Sequence, residues 1–521
     1  ERGALLNRLG RAMTEPAENR AGVAVLEPAN EGVRPASPDA PSNATPEPTP
    51  KLDVRARQVL RSRKIWIAPI LLAVVFAAVM ATFYLGSVVN PAGHLHGLPV
   101  MIVDQDTGAV IDGQHINVGT SLTTALEHSS GVTSRLKLMS GTLKQTQAKM
   151  DKAGAFATLV IPATLTRSVL LAAGVHTPGS TPPATAAIEL EQNTRLGNLG
   201  VSLTSGVINP AIARISPQIG RHISALAVPA SKGNPILAEH VANPITLTTS
   251  SYRPLPDHSA LGLSAFYIAL LGLIAGFVGA TLINGSVDTA LGYASSQLGP
   301  RFTQRRPIAI NRRQTFVTKL SVTVVAAPIL TGSVLLVAVG LLGMYAPNIL
   351  LLWGLITLAA MMIAAGTLTL LAIFGSIGPL LAMLLLVYLS LASSGGTVPI
   401  QALPGVFRTI GHVEPLRNTF TGTRAVLYFA GRGDAGLTTS LIVLACELAF
   451  WVALGLAATY WYDHKHLDRI SPGQINYINR TVDHAVAERT RRALPHKLRN
   501  DRSPMQDDSA IARSGPIRSC A

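Results

Sequence analysis

The sequence predicts a mainly α polytopic membrane protein: six transmembrane helices, one and then five, with an extracytoplasmic α/β domain inserted after the first helix. Three observations carry this expectation. Of the 521 residues 48% are hydrophobic and only 14% charged, about half the charged share of a soluble globular domain. The run WIAPILLAVVFAAVMATFYLGSVV, from Trp66 to Val89, holds no charged side chain and is long enough to cross the ~30 Å hydrocarbon core. After some 170 more polar residues, from Asn90 to Ser259, the chain becomes apolar again from Leu261 onward.

The chain opens with Glu rather than Met, as expected of a sequence that begins inside a longer one. Residues 1–60 are proline-rich, without apolar periodicity in EPANEGVRPASPDAPSNATPEPTP, and are expected to be a disordered cytoplasmic tail. Arg55, Arg57, Arg61, Arg63 and Lys64 precede the apolar run of 66–89, and Asn90 to Leu98 beyond it carry no Lys or Arg. By the positive-inside bias the N-terminus is cytoplasmic. The length of the preceding tail favours an uncleaved anchor over a signal peptide.

Residues 90–259 are large enough for a core of their own. Leu98–Val103 reads as a strand ending in an Asp/Gly turn, and Thr120–His128 as a helix. A polar helix is expected over Arg135–Lys152, a strand over AFATLVIP (155–162), and a helix capped by Gly174 after it. A proline-rich loop, a strand at Ala186–Glu191 and a long helix over Asn198–Leu226 interrupted near Pro210 complete the domain. Residues 260–462 form the five-helix part, with spans at about 261–283, 320–345, 349–374, 377–394 and 437–461; the fourth and fifth are parted only around Gly375 to Gly378. Arg301, Arg305, Arg306, Arg312, Arg313 and Lys319 mark the segment between the second and third spans as cytoplasmic. The basic tail 463–521 agrees, placing both termini inside the cytoplasmic membrane.

The net charge is +15, but the basic residues flank apolar spans, which points to lipid headgroups and topology and not to nucleic acid. Cys446 lies inside an apolar run and Cys520 in the tail, so no disulfide is expected. No GxxxxGK[ST], HExxH, GxSxG or CxxC pattern occurs; no catalytic residue, metal site or cofactor is expected, and the chain reads as a non-enzyme. Asp104 and Asp106 fit a turn better than a cation site. Glu447 lies several turns inside the last span, where a carboxylate is costly. It reads either as a titrating or cargo-path residue or as a hydrogen-bonding partner of Thr331 or Thr357. Between the last two spans, Val406, Ile410, Val413 and Leu416 share a helical spacing that suggests an amphipathic segment at the outer interface, with His412, Glu414, Arg417 and Arg424 as candidate contacts to an anionic headgroup. His464 and His466 mark the polar end of the last helix rather than a metal pair.

LPVMIVDQDTGAVIDGQHINVG (Leu98–Gly119), AFATLVIPATLTRSV (Ala155–Val169), EQNTRLGNLGVSL (Glu191–Leu203) and SGGTVPIQALPGVFRTIGHVEPLRNTFTGTRAVLYF (Ser394–Phe429) resemble the YhgE/Pip membrane proteins, which include the phage infection protein, and their DUF3533-like relatives with an ABC-2 type permease domain. The one-plus-five layout is similar too; the external domain is shorter than in the long Pip-like proteins. The resemblance implies a permease that exports a lipidic, polymeric or drug-like cargo, working as a homodimer among membrane lipids. A separate ATP-binding subunit would dock on the loop from Arg301 to Arg313. The other function to weigh is a membrane-anchored receptor or scaffold that binds phage, envelope or secretion components through its external domain. Proton-driven efflux through Glu447 is a third.

Overall fold

The computed structural model describes residues 63–111, 113–172, 186–226, 243–298 and 301–467, with short stretches between 469 and 486. The N-terminal tail, the Gly174 cap, the loop after it and the basic tail beyond 486 lie outside the described residues. The chain divides between Ile70 and Leu71 into two compact units; of the first, only the opening turns of helix α1 (Arg63–Val88) are described. From Leu71 to Val88 this helix is exposed on nearly every face. Edge-to-face ring pairs join Phe76 to Tyr388 and Phe83 to Phe407.

The polar region folds around strand β1 (Leu98–Asp104). Strands β2 (Ala109–Ile111) and β3 (Gln114–Ile116) form a small hairpin, and helix α2 (Val118–His128) follows. The expected helix over 135–152 is instead strand β4 (Leu136–Ser140) and helix α3 (Leu143–Asp151). Leu136–Ser140 is a strand because it pairs in parallel register with β1, Leu136 opposite Leu98, and Thr142 then opens α3 with a capping box. Strand β5 (Ala157–Ile161), helix α4 (Leu165–Ala172), strand β6 (Ala187–Gln192), helix α5 (Asn198–Leu226) and strand β7 (Thr246–Ser251) complete the domain. The sheet order is β4-β1-β5-β6-β7. β1 runs parallel to both β4 and β5, which makes it an internal strand, and within this sheet only β5 against β6 is antiparallel.

Four consecutive residues of β1, Val100 to Val103, are buried, as both faces of a parallel strand are covered. Leu98, Val100 and Ile102 join the main core, whereas Met101 packs with Met150 of α3. The expected interruption of α5 at Pro210 does not occur; the helix runs through Pro210 and Pro217. Each proline deletes one backbone bond, but the stripe Val207, Ile208, Ala211, Ile212 and Ile215 is buried against the domain and holds the helix. The edge strand β7, reading TLTTSS, was not foreseen because its exposed threonines carry no apolar alternation.

Five segments among the described residues are long and apolar enough to cross a membrane. After the first come α6 (Ser264–Ala290), α7 (Arg312–Leu335, continued by π turns to Leu341), α8 (Ile349–Phe374) with its helical continuation to Ser393, and α12 (Leu437–His464). α7 begins eight residues before the expected 320, and α6 ends seven beyond 283. The α8 segment is not straight. Gly375, at φ +58°, ends α8, and helix α9 (Gly378–Ala382) starts a piece that folds back. A Cβ on Gly366 would lie 2.9 Å from Leu386, an approach that only a reversed chain allows across twenty residues.

Between the α8 segment and α12 the chain forms short helices α10 (Gly405–Ile410) and α11 (Pro415–Tyr428). The expected common apolar face of Val406, Ile410, Val413 and Leu416 is therefore broken: Val406 and Val413 are exposed and Leu416 is buried. Pro415 is the cause, because it forces Glu414 into an extended conformation and starts a new helix in a new direction. This segment seats the α/β domain. Arg195 donates to the Tyr428 and Pro254 carbonyls at 3.0 and 3.2 Å, Arg408 to those of His94, Gln401 and Leu403, and Lys152 pairs with Asp434 at 3.4 Å.

α6 lies against α8 through a Gly272-xxx-Gly276-xxx-Ala280 stripe. A Cβ at Gly276 would sit 2.5 Å from the Ala360 carbonyl oxygen, and one at Gly272 2.6 Å from Ile356. In lipid, where water drives no helix together, such close packing supplies the association. Gly276→Val should force these helices apart. A fall of several degrees in the detergent melting temperature is expected, with Gly285→Val, at an open position, as the silent control.

Candidate functional site

At the end of the bundle bearing the basic loop, the closing turns of α6, α8 and α12 meet the opening turns of α7. The ends of these four helices frame a half-open cavity of about 770 Å³. Its lining is part apolar, with Leu368, Leu371 and Phe374, and part ionic, with Asp288, Arg312, Lys319 and Arg469.

Asp288, in the last turn of α6, is 7% exposed, and Lys319, two turns into α7, is 8% exposed. Lys319 Nζ lies 2.7 Å from Asp288 Oδ1 and donates to Asn284 Oδ1 at 2.6 Å. The Arg469 guanidinium, beyond α12, donates its fork to both Asp288 oxygens, at 2.7 and 2.5 Å. Arg469 also lies over the Tyr293 ring at 4.8 Å, and Tyr293 donates to the Ile308 and Ile310 carbonyls. One carboxylate thus ties together two spans, the loop between them and the segment after the last.

A second carboxylate repeats the device at the surface. Asp463, near the end of α12, accepts the N–H groups of Arg312 and Arg313 at 3.0 and 3.1 Å. An anion at the start of α7 also meets the positive end of the helix dipole. The Arg312 side chain donates to the Leu467 carbonyl at 2.7 Å and lies over the Tyr462 ring.

The foreseen residues fall in three places. Of the basic loop, Arg301 lies on a short strand (Arg301–Thr303); Arg305, Arg306 and Arg313 are exposed, Arg306 pairing with Asp483; Arg312 turns into the cavity rim. Of the outer-interface candidates, exposed His412 contacts Arg417 at 3.2 Å. Arg424 lies over the Phe420 ring at 5.1 Å, its guanidinium pushed down to about 10 by burial and by Arg417. Glu414 is buried against the Ser390 hydroxyl, and its carboxyl is pushed up to about 7 by that burial. Arg417, Arg424 and Glu414 thus line protein interior more than an interface.

Glu447 lies within α12. Among the described residues neither of its oxygens has a hydrogen-bond partner. Thr331 and Thr357 bond each other at 2.7 Å and leave Glu447 aside. Asp106 is a structural hub: it accepts the Thr166 hydroxyl and N–H and the Gly119 N–H, joining the starts of α2 and α4 to the end of β1. His464 ends α12 and stacks on Tyr460. Cys446 is exposed, and Cys520 lies outside the described residues.

The Asp288–Lys319–Arg469 cluster was missed because α6 was expected to end at 283 and α7 to start at 320, which put both charges in a solvated loop. The available signal was symmetry about that loop. Asp288 and Lys319 each continue an apolar helical register, with Phe316 buried one turn before Lys319.

These features define the class: a mostly helical chain with, among the described residues, five membrane-length apolar segments and an α/β domain, a make-up consistent with a multi-pass membrane protein. Residues 68–451 match the family described as protein of unknown function (DUF3533), and the chain belongs to that family. No curated protein matches it in sequence. A domain assigned to an ABC type-2 transporter from Thermotoga maritima MSB8 is similar at 18% identity over 30% of this chain and 85% of that chain, with a TM-score of 0.19. That likeness is too slight to bear on fold or function.

Removing one member of a buried ion pair strands the other, at a cost of about 3–5 kcal/mol. Asp288→Leu strands the buried Lys319 and should lower the melting temperature sharply; Lys319→Met leaves Asp288 on the Arg469 fork and should cost less, and the double variant should recover part of the Asp288→Leu loss. A double variant as unstable as the sum of the singles would show that the two residues do not interact.

Glu414 gives a pH prediction. Its folded pKa, about 7, lies above the ordinary 4.5, so the folded state holds the proton more tightly than the unfolded chain. Its contribution therefore falls as pH rises from 4.5 to 7 and is level above that. Glu414→Gln should flatten the melting temperature across this window.

Proposed function

We propose that the chain is a permease of the ABC-2 and YhgE/Pip kind, exporting a lipidic, polymeric or drug-like cargo across the cytoplasmic membrane. The observation that carries the reading is the half-open cavity of about 770 Å³ framed by the ends of four helices. It combines apolar and ionic walls, suited to loading a cargo that is part apolar. With the reversal at Gly375 counted as a hairpin, the segments make six spans. The basic loop and both termini then lie inside and the α/β domain outside. The short helices between residues 400 and 428 cover the outer end beneath that domain, where a released cargo would emerge.

In this reading no bond chemistry is performed, two copies assemble as a homodimer among lipids, and the exposed Arg305, Arg306 and Arg313 are the docking contacts for a separate ATP-binding subunit. One observation favours the receptor alternative: a groove of about 600 Å³ on the α/β domain, lined by His128, Arg135, Val207 and Arg214.

Reconstitution decides between them. Vesicles holding the full chain, with any co-purifying ATPase, should move lipidic or drug-like probes at a rate that falls at least tenfold when the cavity is narrowed by Ala372→Trp. A chain that moves no probe, yet captures envelope proteins only while residues 95–255 are present, would establish the receptor instead.

A further inference from the structure

We propose that a small cavity at the seat of the α/β domain binds a small carboxylate with a hydrogen-bond donor on its α carbon, as α-hydroxy and α-amino acids have. Such a site is independent of the export reading. The cavity, of about 130 Å³, lies where the turn around Asn193 and Arg195 meets Asp151 of α3, the residues after β7 and the residues after α11. Two lining side chains, both on that turn, carry buried polar atoms that no described residue partners: Asn193 through Oδ1 and Arg195 through Nε.

Asn193 has no exposed surface. Its Nδ2 donates to the Met150 and Ala155 carbonyls at 3.0 and 3.3 Å, which fixes the orientation of the amide and leaves Oδ1 as an acceptor in need of a donor. Arg195 is the reverse case. Its Nη atoms donate to the Tyr428 and Pro254 carbonyls, its Nε is left over, and among the described residues its guanidinium enters no ion pair. The other ions of the lining are paired, Asp151 with Arg253 at 3.1 Å and Arg432 with Asp434 at 3.0 Å.

Buried polar groups are, with few exceptions, hydrogen-bonded. An unmatched donor on a cation and an unmatched acceptor two residues away therefore describe the guest that satisfies both. A carboxylate suits the guanidinium, and an O–H or N–H on the next carbon suits the amide oxygen. Size agrees. At ~10–15 Å³ for each water position, a cavity of about 130 Å³ admits a molecule of several heavy atoms. It falls well short of the ~300 Å³ at which drug-sized pockets begin. The guest would touch the α/β domain through Asn193 and Arg195 and the bundle through Phe429, so its binding stabilises the seated arrangement.

The test is equilibrium binding to the purified full chain in detergent, by calorimetry, with four probes of nearly one size. Lactate has the carboxylate and a hydroxyl, alanine the carboxylate and an ammonium, propionate the carboxylate alone, and lactamide the hydroxyl without the charge. The tighter of lactate and alanine should bind at least about fivefold better than propionate and lactamide, the worth of one buried hydrogen-bonding group. Which of the two it is names the donor, and either answer supports the site.

Asn193→Leu should bring that probe down to the affinity of propionate and leave propionate unchanged, a selective loss that general damage would not give. Arg195→Lys keeps the charge but removes Nε, and should weaken all three carboxylates. Should both variants fail to fold, Arg253→Gln, at a half-exposed position, leaves Asp151 unpaired in the lining and should weaken lactate and propionate alike. Binding of no probe, propionate or lactamide binding as tightly as the preferred probe, or affinities unchanged in the folded variants would overturn the site.

Discussion

A carboxylate buried among apolar helices must be met by cations, and Asp288 is met by two. That requirement organises the basic end of the bundle. Lys319 can reach Asp288 only if α6 and α7 end at matching depths, and Arg469 only if the chain after α12 turns back over α6. The loop between α6 and α7 is accordingly folded rather than free. Leu291 and Ile308 share a backbone hydrogen bond, and Gly292 lies so close to the Arg306 carbonyl that a Cβ there would stand 2.5 Å from its oxygen. Such a cluster gives positional specificity more than net stability, since well-packed apolar residues would hold the helices as firmly.

The opposite end is organised differently. There the α/β domain is joined to the bundle by hydrogen bonds to carbonyls, above all from Arg195 and Arg408, and by the contact of Asn198 with Leu261 at 3.3 Å. Apart from the exposed Lys152–Asp434 pair, the acceptors are carbonyls, whose hydrogen bonds do not depend on the charge state of Glu414. Titration at Glu414 can therefore alter the interior beneath the domain without releasing the domain itself.

How much of this was readable from the sequence depended on length. Apolar runs of membrane length announced themselves, and so did the strands around Leu98 and Ala157, whose apolar character is continuous because both faces are covered. Short elements misled. Leu136–Ser140 offers only one alternation beside a polar helix, and β7 is held by its neighbour β6 rather than by any pattern of its own. The four-residue face from Val406 to Leu416 was real as a spacing but was cut by Pro415. At the candidate site the residue types were visible and their meeting was not. Arg312 and Lys319 read as loop cations because the helix ends were set by hydropathy, which falls at the first charge, although a buried charge with a partner lets a helix continue.

The first apolar helix owes almost nothing to packing. Its side chains from Leu71 to Val88 look outward, with rings at Phe76 and Phe83 as points of attachment. Its sequence is therefore answerable to solubility in lipid and not to shape. Exchanges of one aliphatic residue for another along it should pass unnoticed by the fold, whereas over the buried stretch Ala359 to Leu370 of α8 an added methylene meets a neighbour. Within one chain, two helices of similar composition would thus record mutation at different rates: one as a free-running clock, the other as a template.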